Sequence, residues 1–212
     1  MRFPLRAAAA AATLLCFLTT TAGSAMDGSG VIASAYGRNA SLNSFTFRMS
    51  VEMAMHHFPW LHFHMDGTGH YERGKRYDVE FDNAPVLAPG MQRVDLSTLA
   101  PSLWSRKYRV SVKELRGDDT IFKLTPRRAD TMREALVAVS PTGGTRSVEM
   151  HYSDGTNITL NVNTSNASGY LVPVEAQATI DSPRMPLSAD ATFSDYSFVT
   201  KTGLVGTPLA PH

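Results

Sequence analysis

Cysteine is nearly absent: Cys16 is the single one in 212 residues, so no intramolecular disulfide can staple this chain. Cys16 also falls inside an N-terminal stretch that reads as a removable leader. Without the leader the chain has no thiol, which excludes cysteine nucleophiles and thiolate metal sites as well. An excess of charge of one sign is missing too. Lys and Arg number 20 against 19 Asp and Glu, and with Arg2 and Arg6 of the leader set aside, 18 basic residues face 19 acidic ones. Such a chain has no basic field with which to hold nucleic acid. Apolar runs are short: the N-terminal one covers roughly a dozen residues, fewer than the ~20 a helix needs to cross a bilayer.

Catalytic signatures are lacking as well. Neither G-x-S-x-G nor H-E-x-x-H occurs, and Ser, His and Asp are scattered without a usable pattern. Gly69 to Lys75 matches G-x-x-x-x-G-K, but Arg76 stands where a phosphate-binding loop needs Ser or Thr, and a strand pattern follows in place of a helix. The stretch reads as a hairpin turn at Gly74. No enzyme activity and no cofactor are expected.

What is present begins with MRFPLR, which supplies Arg2 and Arg6, then AAAAAATLLCFLTTTA and the small residues AGSA. This order predicts a signal peptide over residues 1–25, cleaved after Ala25, and a soluble protein delivered to the periplasm or the exterior. Lipidation at Cys16 would want a small residue before the cysteine, and Leu15 is not small. Residues 26–200 are enough for one self-sufficient core. Residues 201–212, TGLVGTPLAPH at their heart, carry no periodicity and are expected to be a flexible tail.

Strand patterns dominate. In SFTFRMSVEMAMH the residues Phe45, Phe47, Met49, Val51, Met53 and Met55 alternate with Thr46, Arg48, Ser50, Glu52 and His56. After Phe58-Pro59-Trp60 the same parity resumes, with Leu61, Phe63 and Met65 against His62, His64, Asp66 and His70. A third run sets Tyr77, Val79 and Phe81 against Asp78 and Glu80. Period two over three successive segments predicts an antiparallel meander with one apolar and one wet face. Runs around Val110, Phe122, Val137, Val148, Leu160, Val174 and Phe193 bring the expectation to about ten strands, joined by turns such as Pro141-Thr142-Gly143-Gly144 and Ser153-Asp154-Gly155. Helices are few. GSGVIASAYGR and DLSTLAPSLWS have helical spacing, the second with Asp95 as N-cap and Pro101 interrupting it. A large sheet with so little cover must curl on itself, pack on a second sheet, or leave an apolar face for something else to fill.

The order of these pieces resembles the outer-membrane lipoprotein carrier (LolA-like) superfamily: leader, short helix, long first strand, GTGHYERGKRYDVEFDNAP, a loop with a broken helix, HYSDGTNITL, GYLVP and a closing FSDYSF. The resemblance implies a mostly β fold, a curved antiparallel sheet forming an unclosed β-barrel covered by a few short helices. It implies an apolar cavity for lipids or lipoprotein acyl chains. By position, Phe45 to Met55 of odd parity, Leu61, Phe63, Met65, Tyr77, Val79 and Phe81 would line it, and Leu96, Leu99, Leu103 and Trp104 would form its lid. It also implies envelope membrane proteins as donors or acceptors of the ligand, and a monomeric carrier. Carriers of this kind hold the lid shut with an arginine, and no equivalent is evident: Arg48 has outward parity.

Two other readings stay open. Met49, Met53, Met55 and Met65 suit a surface that adapts to flexible chains, but they equally suit a filled core in a structural or interaction domain. The second alternative is metal. If residues of like parity pair, His56 lies opposite His62 with His64 two places along. Separations of ~5 Å across and ~7 Å diagonally then let imidazoles share a Zn or Cu ion, with Asp66 as a fourth ligand or an orienting partner. The plainer explanation of the histidines is that they occupy the solvent side of an amphipathic strand.

Overall fold

A computed structural model describes residues 28–58, 60–84, 91–183, 185–200 and 203–205. The expected signal peptide lies outside them. The strands are β1 (Leu42–Met55), β2 (His62–Glu72), β3 (Arg76–Phe81), β4 (Arg93–Asp95), β5 (Tyr108–Arg116), β6 (Asp119–Pro126), β7 (Met132–Val139), β8 (Thr145–Tyr152), β9 (Asn157–Ala167), β10 (Tyr170–Asp181), β11 (Leu187–Thr200) and β12 (Gly203–Val205). They form one antiparallel sheet in the order β4-β3-β2-β1-β11-β10-β9-β8-β7-β6-β5. Within the expected C-terminal tail, Gly203–Val205 pairs with the end of β11, beyond the point where β10 leaves it. The helices are α1 (Gly28–Arg38) and α2 (Pro101–Lys107), with a short 3-10 turn at Ser97–Leu99.

The sheet curves without closing, because its edges, β4 and β5, do not pair. Residues 96–107, which join these two edges in sequence, carry the 3-10 turn and α2, so the connection itself covers the seam. It stays there because it buries apolar surface. Leu103 and Trp104 are fully buried, the Trp104 ring lies 5.5 Å from that of Phe122 on β6, and its indole N–H donates to the Thr98 carbonyl at 2.9 Å. The sequence expectation of one interrupted helix resolves into two pieces. The Ser97 N–H bonds Asp95 Oδ1 at 2.9 Å, which sets the 3-10 turn, and Pro101 stands in the first turn of α2, where its missing N–H costs nothing.

The period-two alternation holds along β1: Phe45, Phe47, Val51 and Met53 are buried, whereas Thr46, Arg48 and Glu52 are exposed. The buried face carries a plug of aromatic rings at the α1 end of the barrel, where Phe45 stacks on Tyr71 at 4.7 Å and Phe47 on Tyr196 at 5.5 Å. Tyr196 lies just beyond a bulge at Asp195 (φ 52°), and its hydroxyl donates to the Pro173 carbonyl. Tyr77 is buried among these rings and its phenol has no hydrogen-bond partner among the described residues; burial pushes its pKa up.

The plug depends on a missing side chain. Gly69 faces Phe47 across the β1–β2 ladder, and a Cβ at Gly69 would fall 1.9 Å from the Phe47 ring. The ring therefore fills the space that a residue on β2 would take. Gly69→Ala should lower stability by about 1–3 kcal/mol, the usual cost of overpacking, read as a lower denaturant midpoint. In a Phe47→Leu background the same substitution should cost clearly less.

Candidate functional site

Beyond the aromatic plug, the same face of the sheet is built differently. Adjacent strands present alanines to one another: Ala176 pairs with Ala191 and Ala178 with Ala189. These rows continue onto β1, where Ala191 pairs with Val51 and Ala189 with Met53. A Cβ methyl reaches little way into the interior, so four alanines side by side withhold the bulk that Phe and Tyr supply at the plug. The result is a cavity of about 220 Å³ bounded by apolar side chains. Met49, Met53 and Met65 reach in from β1 and β2, Met150, Ile158 and Leu160 from β8 and β9, and Leu96 and Leu99 from the lid. Apolar cavities of about 150 Å³ stay dry and accept small hydrocarbons, so this space suits a hydrocarbon segment. Its polar contributions are few, from Asp95, Thr98 and Tyr152.

The residues picked out by sequence divide among three environments. Met49, Val51, Met53, Met65, Phe81, Leu96 and Leu99 line the cavity. Phe45, Phe47, Tyr77 and Val79 belong to the packed core at the plug end, with Phe45 and Tyr77 also bordering a smaller cavity of about 90 Å³ beneath α1. Met55, Leu61 and Phe63 sit at or next to the β1–β2 turn, partly buried. Of the lid positions, Leu103 and Trp104 pack into the two core clusters and anchor the lid from within. The far wall, Ile158, Leu160, Ile180 and the four alanines, was not picked out from the sequence. Its alternation is readable in EAQATI and SADATF, but alanine in a strand pattern carries no sign of whether it borders a filled core or a cavity.

Arg73 was also missed. It follows β2 in the turn to β3, where strand parity says nothing of direction. Its guanidinium donates to the Asn39 carbonyl and, at 2.8 Å, to the Leu42 carbonyl, both just past α1. Asn39 in turn clasps Leu171 on β10 through both its amide atoms, at 2.9 and 3.1 Å. The Arg106 guanidinium of α2 donates to the carbonyl of the adjacent Gly74 at 2.9 Å. One hairpin turn is thus tied both to the segment that follows α1 and to α2. Arg48, by contrast, points outward to Thr68 and Asp82.

The histidine geometry differs from the sequence expectation. Ala54, not His56, pairs with His62, and Glu52 pairs with His64, because the turn begins at His56 and leaves it outside the ladder. His64 Nδ1 lies 2.5 Å from Glu52 Oε1 and its Nε2 2.9 Å from Asp66 Oδ2. Both ring nitrogens of His64 are thus engaged by carboxylates, and neither is turned to His56 or His62 as a shared metal would require. Among the described residues no three His, Cys, Asp or Glu side chains are grouped to hold a metal ion.

Fold and cavity together define the class: an unclosed β-barrel with a helical lid over an apolar space. This is the LolA-like fold. A LolA superfamily protein from Nitrosomonas europaea superposes with a TM-score of 0.55 at 14% identity, over 85% of this chain and 94% of that one. A DUF1329 family protein from Desulfovibrio piger gives 0.54 at 10% identity, over 79% and 91%. A domain from Vibrio parahaemolyticus, named for outer-membrane lipoprotein sorting, gives 0.53 at 14% identity, over 82% and 93%. No protein-family model matches the sequence, and comparison with curated proteins finds no match.

The Glu52 hydrogen bond first, and that of Asp66 next, raise the His64 pKa above its ordinary value of 6.5. Folding therefore favours the protonated ring. The stabilisation is fully present below the unfolded value and fades as pH rises through the folded-state one. An NMR titration should place His64 above 6.5, and Glu52→Gln should bring it down.

Proposed function

We propose that this chain is an exported, non-catalytic carrier or binding protein that holds an acyl chain of a lipid or lipoprotein in the cavity between β1, β2, β9, β10 and β11. The observation that carries this reading is the pair of alanine rows facing methionines under an apolar lid. A packed structural domain would be expected to fill that space, since unfilled apolar volume destabilises a core. Methionine is unbranched and polarizable, so it conforms to a flexible hydrocarbon without demanding one fixed shape. Burying about ten methylenes at ~0.8 kcal/mol each gives ~8 kcal/mol, a micromolar-class interaction before ordering costs. Such a function needs no reacting group.

In this reading the leader sends the protein to the periplasm or beyond, where it works as a monomer and exchanges its ligand with envelope membranes or their proteins. Arg73 serves as the latch that the resemblance calls for: it joins the β2–β3 turn to the end of α1, while Arg106 ties α2 to the same turn. Loosening this turn would release both ties together.

Protein purified from membrane-containing cells, extracted with organic solvent and analysed by mass spectrometry, should release a lipid in near-stoichiometric amount. Ala178→Phe puts a ring into the cavity from its wall and should abolish retention while the protein stays folded. A wild-type protein that is folded and free of lipid would contradict the proposal.

A further inference from the structure

Among the described residues five large apolar side chains are exposed: Phe58, Trp60, Val112, Leu115 and Met185. Three of the five lie at one place. Phe58 and Trp60, 46% and 76% exposed, occupy the β1–β2 turn, and Met185, 39% exposed, occupies the β10–β11 loop. The two segments touch, because the His56 N–H donates to the Pro186 carbonyl at 3.1 Å.

This exposure is built into the turn. The Phe58 N–H bonds the Met55 carbonyl at 3.3 Å and the Leu61 N–H bonds the Phe58 carbonyl at 2.8 Å, so the backbone is pinned while the rings face outward. The Phe58 and Trp60 rings meet edge to face at 5.4 Å and present one apolar tip.

Its position is specific as well. Along β1 the chain runs from the plug at Phe45 and Phe47, past the cavity at Met49 to Met53, to this turn. β11 runs the opposite way, from Leu187 past Ala189 and Ala191 to Tyr196 and Phe198. The tip therefore stands at the end of the half-barrel remote from the plug and next to the cavity.

The flanking chemistry selects the occupant. The turn itself, from Met53 to Phe63, carries no carboxylate and three histidines, His56, His57 and His62, while the carboxylates of Glu52 and Asp66 at its base are engaged by His64, so the aromatic tip offers an anionic headgroup imidazoles and no carboxylate of its own. A pair of large aromatic rings on a narrow turn is too small for a standard protein interface, but Trp is the side chain that settles best at the headgroup level of a bilayer, with an apolar body and a polar N–H.

We propose that the Phe58–Trp60 tip, with Met185 beside it, is a membrane-docking element that inserts into the headgroup region of a phospholipid bilayer and seats the cavity end of the barrel on the lipid surface. An acyl chain could then pass between bilayer and cavity with little exposure to water. This purpose rests on the lipid-carrier reading.

The chain supplies its own probe. It has two tryptophans, and Trp104 is fully buried, so Trp60 is the one open to solvent. On adding vesicles of phosphatidylethanolamine and phosphatidylglycerol, the Trp60 emission should move to the blue and be quenched by brominated acyl chains. Trp60→Ala and Phe58→Ala should each weaken co-sedimentation about tenfold, with an unchanged melting temperature and undiminished retained lipid, because neither side chain lines the cavity. Ala178→Phe should still bind vesicles. A wild-type protein that retains lipid but ignores vesicles, or a Phe58→Ala/Trp60→Ala double variant that sediments like wild type, overturns docking and leaves the carrier reading standing. Binding solely to vesicles that contain membrane protein overturns it too. Vesicle binding without retained lipid supports docking and sinks the carrier.

Discussion

The interior of this sheet is governed by how much side chain each strand sends inward. Inward positions follow period two along β1, β2 and β10 and along β11 up to its bulge at Asp195, yet β1 and β2 send Phe and Met, whereas the middle of β10 and β11 sends alanine. Where rings meet rings, the barrel is solid. Where methionines meet alanines, a space remains that the sheet cannot fill, and only the lid bounds it from the other side. The lid's position follows from this: Trp104 and Leu103 fix it to packed core, which leaves Leu96 and Leu99 to close the cavity.

The sheet is left unclosed by the chain that joins its edges. Residues 96–107 lead from β4 to β5 across the seam, so the lid is covalently tied to both rims. Closure of the other end of the lid is polar. Arg73, in the β2–β3 turn, donates to the carbonyls of Asn39 and Leu42, and Arg106 of α2 donates to the carbonyl of Gly74 in that same turn.

Much of the architecture was legible in the sequence because period two is a strong signal when one face is buried and the other wet. The three runs at Phe45–Met55, Leu61–Met65 and Tyr77–Phe81 appear as β1, β2 and β3, with Phe45, Phe47, Val51, Met53, Met65, Tyr77, Val79 and Phe81 buried as expected and Met55, Leu61 and Phe63 only partly buried by the turn. The strands without a sequence signal, β4 and β12, are three residues each, too short for alternation to register. Asp78 has outward parity yet is buried, because Arg93 from β4 covers and pairs with it. The inner face was legible, but its division into plug and cavity was not. That division depends on Ala176, Ala178, Ala189 and Ala191 lying side by side, a fact of strand register between distant segments. The histidines show the converse: proximity in sequence suggested a shared ligand, and register instead gave His64 two carboxylate partners.

The most direct test of an acyl-binding cavity uses its methionines. Met49, Met53, Met65, Met91 and Met150 line the space, whereas Met132 packs in the core beside Trp104 and Met185 is exposed. NMR of isotope-labelled methionine methyl groups, recorded while a monomeric fatty acid is added, should show the five lining methyls shifting together and saturating, with Met132 and Met185 unmoved. Lining methyls that stay fixed throughout, or shifts confined to Met185, would contradict a cavity that holds an acyl chain.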